Sequence, residues 1–154
     1  MRQGFTIVEL LLAMGVFAIL AGLGSVNYFS TYNQTSAGTL QEVLIADLRS
    51  AQAKAMTGQT SGGVAVPSWG VKFLSSSYVV FPGPSYVAGS SANYIVALPE
   101  GMVLTPDFAS DQVLFAKGSG EIIGYDSEAD SLTAVLGTTT KNIELNRLGV
   151  IVGD

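Results

Sequence analysis

Residues 1–24 read MRQGFTIVELLLAMGVFAILAGLG, and this stretch decides how the rest of the chain is interpreted. Arg2 is its only basic residue and Glu9 its only acidic residue, so residues 10–24 carry no charge. The apolar run from Phe5 to Leu23 has about the ~20 residues with which a helix, rising about 1.5 Å per residue, crosses ~30 Å of hydrocarbon. The stretch therefore predicts a transmembrane helix behind a short polar head.

A small residue, Gly4, stands before the apolar run rather than after it. A secretory signal is cleaved after its apolar part, which the mature protein loses. A cut between Gly4 and Phe5 would instead keep the apolar helix. Arg2 and the amino terminus are the positive charges at this end, which favours a cytoplasmic amino terminus and an external chain from about residue 27 onward.

The order Gly, Phe, Thr, two aliphatic residues, Glu and Leu-rich helix fills residues 4–12. It resembles the prepilin signal of type IV pilins and type II secretion pseudopilins. The resemblance implies that a prepilin peptidase cuts between Gly4 and Phe5 and that the new amino terminus at Phe5 is methylated. It also implies three further partners: other pilin or pseudopilin subunits, an inner-membrane assembly platform and, before assembly, membrane lipid. The subunit would begin as a single-pass protein of the cytoplasmic membrane and end in a periplasmic or cell-surface filament.

Glu9 has two interpretations. It lies only about 6 Å into the helix, where a carboxylate can remain at the membrane interface. A charge at the bilayer centre costs about 2.5–3.5 kcal/mol on insertion scales, and an intramembrane charge is read as functional by default. The resemblance implies that Glu9 pairs with the ammonium of Phe5, its own or a neighbour's, as subunits pack in a low-dielectric core. We expect Glu9→Ala or Glu9→Leu to insert in the membrane but not to assemble.

The composition argues against catalysis and against nucleic-acid binding. The 154 residues include no Cys and no His, which removes the usual nucleophile, proton shuttle and zinc ligands. The sequence therefore predicts neither an enzyme nor a cofactor. Besides Arg2 and Glu9, the chain has eleven acidic residues and only six basic ones, which are scattered along the sequence. Polyanion binding needs clustered Lys and Arg.

The chain divides into four predicted parts: a leader (1–4), a transmembrane and filament-core helix (5–26), the exposed half of a spine helix (27–57) and a β-rich head (58–154). Helical spacing puts one set of apolar residues on a single face, and we expect it to pack on the head. This stripe comprises Leu40, Leu44, Leu48, Ala51 and Ala55, with Gln41, Glu42, Arg49 and Gln52 directed elsewhere. The helix should end near Gly58, and Gly22 and Gly24 could allow a bend or local melting.

After Gly63 the pattern changes to short β-rich runs between turn residues. The predicted strands are Val64–Val66, Gly70–Leu74, Tyr78–Phe81, Tyr94–Leu98, Met102–Thr105, Gln112–Phe115, Glu121–Gly124, Leu132–Leu136, Lys141–Leu145 and Val150–Val152. We expect the second and third to form one hairpin, and the sixth and seventh another. Strands that follow one helix predict an α+β fold, an antiparallel sheet packed on a long amino-terminal helix.

Short motifs in the head narrow the resemblance to the H-type minor pseudopilins and related minor pilins. They are the helix-end run 47–55, the WGVKF run 69–73, the segments 113–115 and 118–122, and the closing run 143–151. The resemblance implies a structural filament subunit. The alternative is a minor tip or initiator subunit that binds cargo, a surface or DNA through the loop Tyr78–Asn93.

Three alternating carboxylates, those of Asp126, Glu128 and Asp130, have a spacing that calcium loops use. A complete loop would add a Gly and a distant bidentate carboxylate in register, which the sequence does not offer. We therefore expect no metal site, and a solvated hairpin tip is the preferred interpretation of this segment.

Overall fold

A long helix carries the β-rich part of the chain at its carboxyl-terminal half. The computed structural model describes residues 6–153, with the side chains of residues 6–22 and 35–152. Helix α1 runs over Ile7–Met56, 50 residues or about 75 Å at 1.5 Å per residue. It is continuous through Gly22 and Gly24, so the expected bend or local melting is not found. The described residues hold no helix that is both long enough and apolar enough to span a bilayer, and the transmembrane assignment of 5–26 stays a prediction.

The end of α1 is fixed by its capping hydrogen bonds. The N–H of Gly58 donates to the carbonyl of Ala55 at 3.1 Å, and the N–H of Gln59 donates to that of Lys54 at 2.9 Å. Gly58 has a φ of 64°, the left-handed conformation that such a cap requires and that glycine adopts without a Cβ penalty. The prediction that the helix ends near Gly58 is confirmed.

Residues 6–153 contain eight strands, which form two four-stranded antiparallel sheets instead of the one sheet expected. The strands are β1 Ser68–Phe73, β2 Ser77–Pro82, β3 Tyr94–Ala97, β4 Met102–Pro106, β5 Gln112–Ala116, β6 Ser131–Leu136, β7 Thr139–Leu145 and β8 Ile151–Gly153. The first sheet has the order β3-β2-β1-β5 and the second the order β4-β6-β7-β8. The chain starts the second sheet with β4, returns to the first for β5, and then completes the second. The α+β class and the antiparallel pairing are confirmed.

Two predicted strands are wrong. Val64 makes only an isolated bridge to Ser61, because Gly62 and Gly63 have positive φ and turn the chain sharply between them. Val64–Val66 is therefore part of a turn and its exit, and Val64 itself is exposed.

The segment Glu121–Gly124 is the second error. It contributes one bridge, Phe115 to Ile122, because Gly120 and Gly124 both have a φ of 70° and redirect the chain on either side. The predicted second hairpin is therefore limited to this bridge, beside which the N–H of Ala116 donates to the carbonyl of Glu121 at 2.9 Å and the N–H of Ile123 to that of Leu114 at 2.8 Å. The first hairpin is confirmed, with Phe73 opposite Tyr78 in the β1–β2 register.

The apolar stripe of α1 packs against both sheets, as predicted. Leu40, Leu44, Leu48, Ala51 and Ala55 are all at most 6% exposed, and α1 contacts β1, β5, β6 and β7. Fully burying a large aliphatic side chain contributes about 1.5–3 kcal/mol, so this stripe is the main attachment of the helix to the sheets. Gln41 was expected to point elsewhere, but it is buried at 8% exposure, because the buried face of α1 is wider than a single row.

Candidate functional site

The amino-terminal turn of α1 is held by a reciprocal pair of side chain and backbone hydrogen bonds. Thr6 is the N-cap residue in an extended conformation, and its Oγ1 accepts from the N–H of Glu9 at 3.3 Å. The carboxylate of Glu9 reaches back: its Oε2 accepts from the N–H of Thr6 at 3.0 Å and from the Thr6 hydroxyl at 2.9 Å. This is a capping box, which satisfies backbone donors that a helix start otherwise leaves without partners.

The capping box was missed in the sequence, although Thr6-Ile7-Val8-Glu9 has its Thr-x-x-Glu signature. It gives Glu9 a role within a single chain, next to the positive end of the helix dipole. The predicted partner of Glu9, Phe5, lies outside the described residues, as does Gly4. The roles assigned to these residues stay predictions.

The turn leads directly into a helix whose apolar side chains face solvent on every side. Ten large apolar residues between positions 7 and 20 are each 49–79% exposed. They are Ile7, Val8, Leu10, Leu11, Leu12, Met14, Val16, Phe17, Ile19 and Leu20. A helix that is apolar all round is stable only when it is enclosed by lipid or by other protein.

The three carboxylates proposed as a weak calcium candidate are not gathered around one point. Asp126 Oδ1 accepts from the N–H of Glu128 at 3.0 Å, and Asp130 Oδ2 accepts from the hydroxyl of Tyr125 at 3.0 Å. That bond to Asp130 is the main cause of the raised pKa of Tyr125. No cluster among residues 6–153 has the acidic, His or Cys side chains arranged for a metal ion. The segment is also not a hairpin tip, because residues 121–124 form no strand.

The loop proposed for binding begins later than expected. Tyr78 lies inside β2 and is 0% exposed, so it cannot contact a partner. The exposed part of the segment is 84–93, where Val87 is 61% exposed. The ring of Tyr86 packs edge-on against that of Phe81, with 5.7 Å between the ring centroids. The Asn93 side-chain amide donates to the carbonyl of Val87 at 2.8 Å.

Tyr78 instead links α1 to the first sheet. Its hydroxyl donates to Asp47 Oδ2 at 2.7 Å. Burial, followed by this hydrogen bond to the carboxylate, raises the pKa of Tyr78 well above its ordinary value. The sequence offers no local signal for this pair, because the two residues are 31 positions apart.

Gln52 joins α1 to two turns of the head, although its position off the apolar stripe predicted an outward side chain. Its Nε2 donates to the carbonyl of Gly120 at 3.0 Å and to that of Leu148 at 2.6 Å. A Cβ added to Gly149 would lie 2.7 Å from the same nitrogen, so the turn approaches the helix closely. Three of the short motifs singled out in the sequence therefore meet at one junction.

The comparisons with known proteins bear on the amino-terminal end alone. No curated protein and no solved structure matches the chain. The family model of the prokaryotic N-terminal methylation motif matches residues 1–25. The chain therefore carries the prepilin-type signal of type IV pilins and pseudopilins.

Proposed function

We propose that this chain is a structural subunit of a type IV pilus or type II secretion pseudopilus. In this proposal a prepilin peptidase cuts between Gly4 and Phe5, and Phe5 becomes the methylated amino terminus. The subunit is held in the cytoplasmic membrane with its amino terminus inside, and then enters a filament through α1. The observation that carries the proposal is the methylation motif at residues 1–25, which includes the exposed apolar part of α1.

The first physical support is the cost of leaving this helix in water. Fully burying one large apolar side chain contributes about 1.5–3 kcal/mol, and these ten are 49–79% exposed, so covering them represents roughly 10–20 kcal/mol of gross stabilisation. Lipid supplies this cover for a single subunit, and neighbouring helices supply it in a filament.

A second consideration is why α1 would leave the lipid and pack against other helices in a filament. Transfer from lipid to a helix bundle brings little hydrophobic gain, because lipid tails are as apolar as Leu. Close packing and polar contacts must therefore decide. An ion pair is such a contact: two unit charges 4 Å apart attract by about 4 kcal/mol at an effective dielectric constant of 20.

The capping box bears on how Glu9 could make that ion pair. The carboxylate already accepts from the N–H of Thr6. The nitrogen of Phe5 is separated from that N–H by three covalent bonds, which limits their distance to about 4 Å. An ammonium created at Phe5 would therefore lie within about 7 Å of the carboxylate of its own chain.

A minor tip or initiator subunit is the second candidate. The loop 84–93 favours it, because it is exposed while Tyr86 and Asn93 hold it in place. Binding of cargo or of a surface fits such a loop better than binding of DNA, since the chain has a net charge of −5. Neither candidate requires catalysis, and we propose no enzymatic activity.

Mass spectrometry of filaments sheared from the native cells tests the proposal. We expect the chain in the filament fraction with N-methylated Phe5 at its amino terminus. We expect Gly4→Leu, which puts a bulky residue at the cut, to block processing, and Gln3→Leu to be processed normally as its matched control. A mature chain that starts beyond residue 24, or that retains Met1 in filaments, would contradict the proposal. The stoichiometry separates a main subunit from a tip subunit, which would be present in trace.

A further inference from the structure

Strand β3 ends the first sheet, and its outer edge has no strand partner among residues 6–153. The N–H of Leu98 donates to the carbonyl of Ser76 at 3.0 Å. Since hydrogen-bonded and non-hydrogen-bonded pairs alternate along an antiparallel ladder, every second residue of β3 bonds to β2. The N–H and C=O groups of the residues between, Ile95 and Ala97, point away from the sheet. A second extended backbone is what matches such a row of donors and acceptors.

This edge lacks the features that protect other strands at the end of a sheet. β3 has the sequence Tyr-Ile-Val-Ala, without charge or Pro, and Tyr94 and Ile95 are 60% and 63% exposed. By contrast, β4 ends in Pro106, which has no N–H to donate, and β5 is bridged by Ile122. Charges, Pro and covering segments are the usual protection of an edge, so β3 is open to a further strand.

A groove of about 510 Å³ lies beside this edge, between β3 and α1. Thr39 and Val43 line it on the helix and Val96 on the strand, and none of its lining residues is charged. Val96 stands opposite Tyr78 in the ladder, and Tyr78 bonds to α1, so Val96 is on the helix-facing side of the sheet. We name this surface the α1–β3 groove. A strand added beside β3 directs every second side chain into it.

We propose that the outer edge of β3 binds an extended segment of a different protein as an additional antiparallel strand, with apolar side chains in the α1–β3 groove. Backbone hydrogen bonds to Ile95 and Ala97 supply affinity, and the groove selects the side chain opposite Val96. This division between backbone affinity and side-chain selection is typical of strand addition.

The charges around the α1–β3 groove indicate the ends of that segment. Glu42 lies between two lining residues of α1, and Glu100 follows the last lining residue of the strand side. Both are exposed and acidic. The segment that fits is therefore uncharged and apolar at alternate positions, with basic residues at its ends.

A second copy of this chain does not fit the site in the same way. Antiparallel pairing of β3 with β3 of another copy requires a twofold axis normal to the sheet. α1 packs on the face of this sheet through β1 and β5, so that axis would make the two α1 helices antiparallel. Copies in one membrane or one filament have parallel α1 helices, a step that rests on the proposed function. The strand therefore comes from a different protein, which gives the proposed tip subunit a partner of defined chemistry.

Fluorescence anisotropy of a labelled peptide with the full chain in detergent tests the inference. The probe is the peptide KTVTITVTK, in which the central Ile stands opposite Val96 and the two Thr beside it stand opposite Ile95 and Ala97. Its matched control is N-methylated at every Thr, which removes the donors that face β3 and keeps the apolar side chains. We expect saturable binding of the probe and binding at least about tenfold weaker for the control, because the backbone ladder is lost.

Two pairs of variants test the edge and the groove separately. Ile95→Pro removes an outward N–H, a position where an edge strand tolerates Pro, and Ile95→Thr keeps that N–H. Thr39→Trp fills the groove, and Ala46→Trp puts the same indole on an exposed part of α1 outside it. We expect Ile95→Pro and Thr39→Trp each to weaken binding of the probe about tenfold, and both controls to change it less than about twofold. Normal binding by Thr39→Trp and Ile95→Pro would overturn the inference.

Equal binding of the probe and its N-methylated control, or no saturable binding of either, would overturn the inference and leave the proposed processing and assembly standing. A disulfide-linked dimer of Val96→Cys would also overturn it, by putting a second copy at the edge. Antiparallel self-pairing brings the two Val96 positions to about 4.5 Å, within the range of a disulfide, and the chain has no other Cys. Absence of the chain from sheared filaments would instead contradict the proposed function, whatever the peptide does.

Discussion

Replacing Tyr78 by Phe removes the hydroxyl that ties α1 to the first sheet. Tyr78 is 0% exposed, and its hydroxyl donates to Asp47 at 2.7 Å. A hydrogen bond to a charged group contributes about 1.5–3 kcal/mol. Asp47 is half-buried, so water can partly replace the lost hydroxyl at the carboxylate. We therefore expect Tyr78→Phe to lower the free energy of unfolding by about 1–2 kcal/mol at pH 7.

The same residue gives the protein a characteristic loss of stability in alkali. The pKa of Tyr78 is raised in the folded state, by burial first and by the bond to Asp47 second. In the unfolded chain it titrates near 10. Above that pH the unfolded state releases a proton that the folded state keeps, so stability falls as pH rises. At pH 11 the loss from this group reaches about 1.4 kcal/mol, and Tyr78→Phe should not show it.

Urea unfolding of the full chain in detergent, followed by the fluorescence of the single tryptophan, Trp69, measures both effects. Trp69 is 7% exposed in the folded state, so unfolding changes its surroundings. Tyr94→Phe is the matched control, because Tyr94 is 60% exposed, and its change should stay within about 0.5 kcal/mol. A Tyr78→Phe variant that is as stable as the wild type at pH 7, or that loses as much stability as the wild type between pH 9 and pH 11, would refute this role of Tyr78.

Four further substitutions test other parts of the structure. Gly70→Ala should lower the free energy of unfolding by about 1–3 kcal/mol, because the added Cβ would lie 2.8 Å from the carbonyl oxygen of Val113. Gly38→Ala has open space around the added Cβ and should instead raise the free energy of unfolding by about 0.5–1 kcal/mol. Urea titration of the two variants measures both changes. Gln52→Ala loses two hydrogen bonds, worth about 1–3 kcal/mol together, and an unchanged urea midpoint would contradict that role. Glu9→Leu should insert in the membrane but give no filaments, whereas normal filament yield in sheared fractions would show that the carboxylate is not needed for assembly.

The helix and most strands were predictable because their signals are local. The apolar stripe repeats at the helical period and is buried throughout, and Gly58 marks the helix end with a positive φ. β1 and β2 are separated by a short serine turn, so their pairing needs no distant information. The Thr6–Glu9 capping box was equally local, and its signature was available in the sequence.

The errors came from features that depend on distant residues or on backbone conformation. The composition of Glu121–Gly124 is typical of a strand, but Gly120 and Gly124 turn the chain at both ends of this segment. The division into two sheets depends on which strand pairs with which, and side-chain alternation does not encode that choice. Gln52 was interpreted as an outward polar residue because its partners, Gly120 and Leu148, lie 68 and 96 positions away.

The distance in sequence between Gln52 and Leu148 also sets the order in which the protein can fold. Ribosomes add about 5–20 residues per second, so roughly 5 to 20 seconds separate the synthesis of these two positions, 96 residues apart. During that interval the face of α1 that carries Leu44 and Leu48 is covered only in stages, as β1, β5, β6 and β7 are synthesised in turn. Until β7 is complete, the nascent chain therefore has two apolar helix surfaces to shield, this face and the exposed residues 7–20.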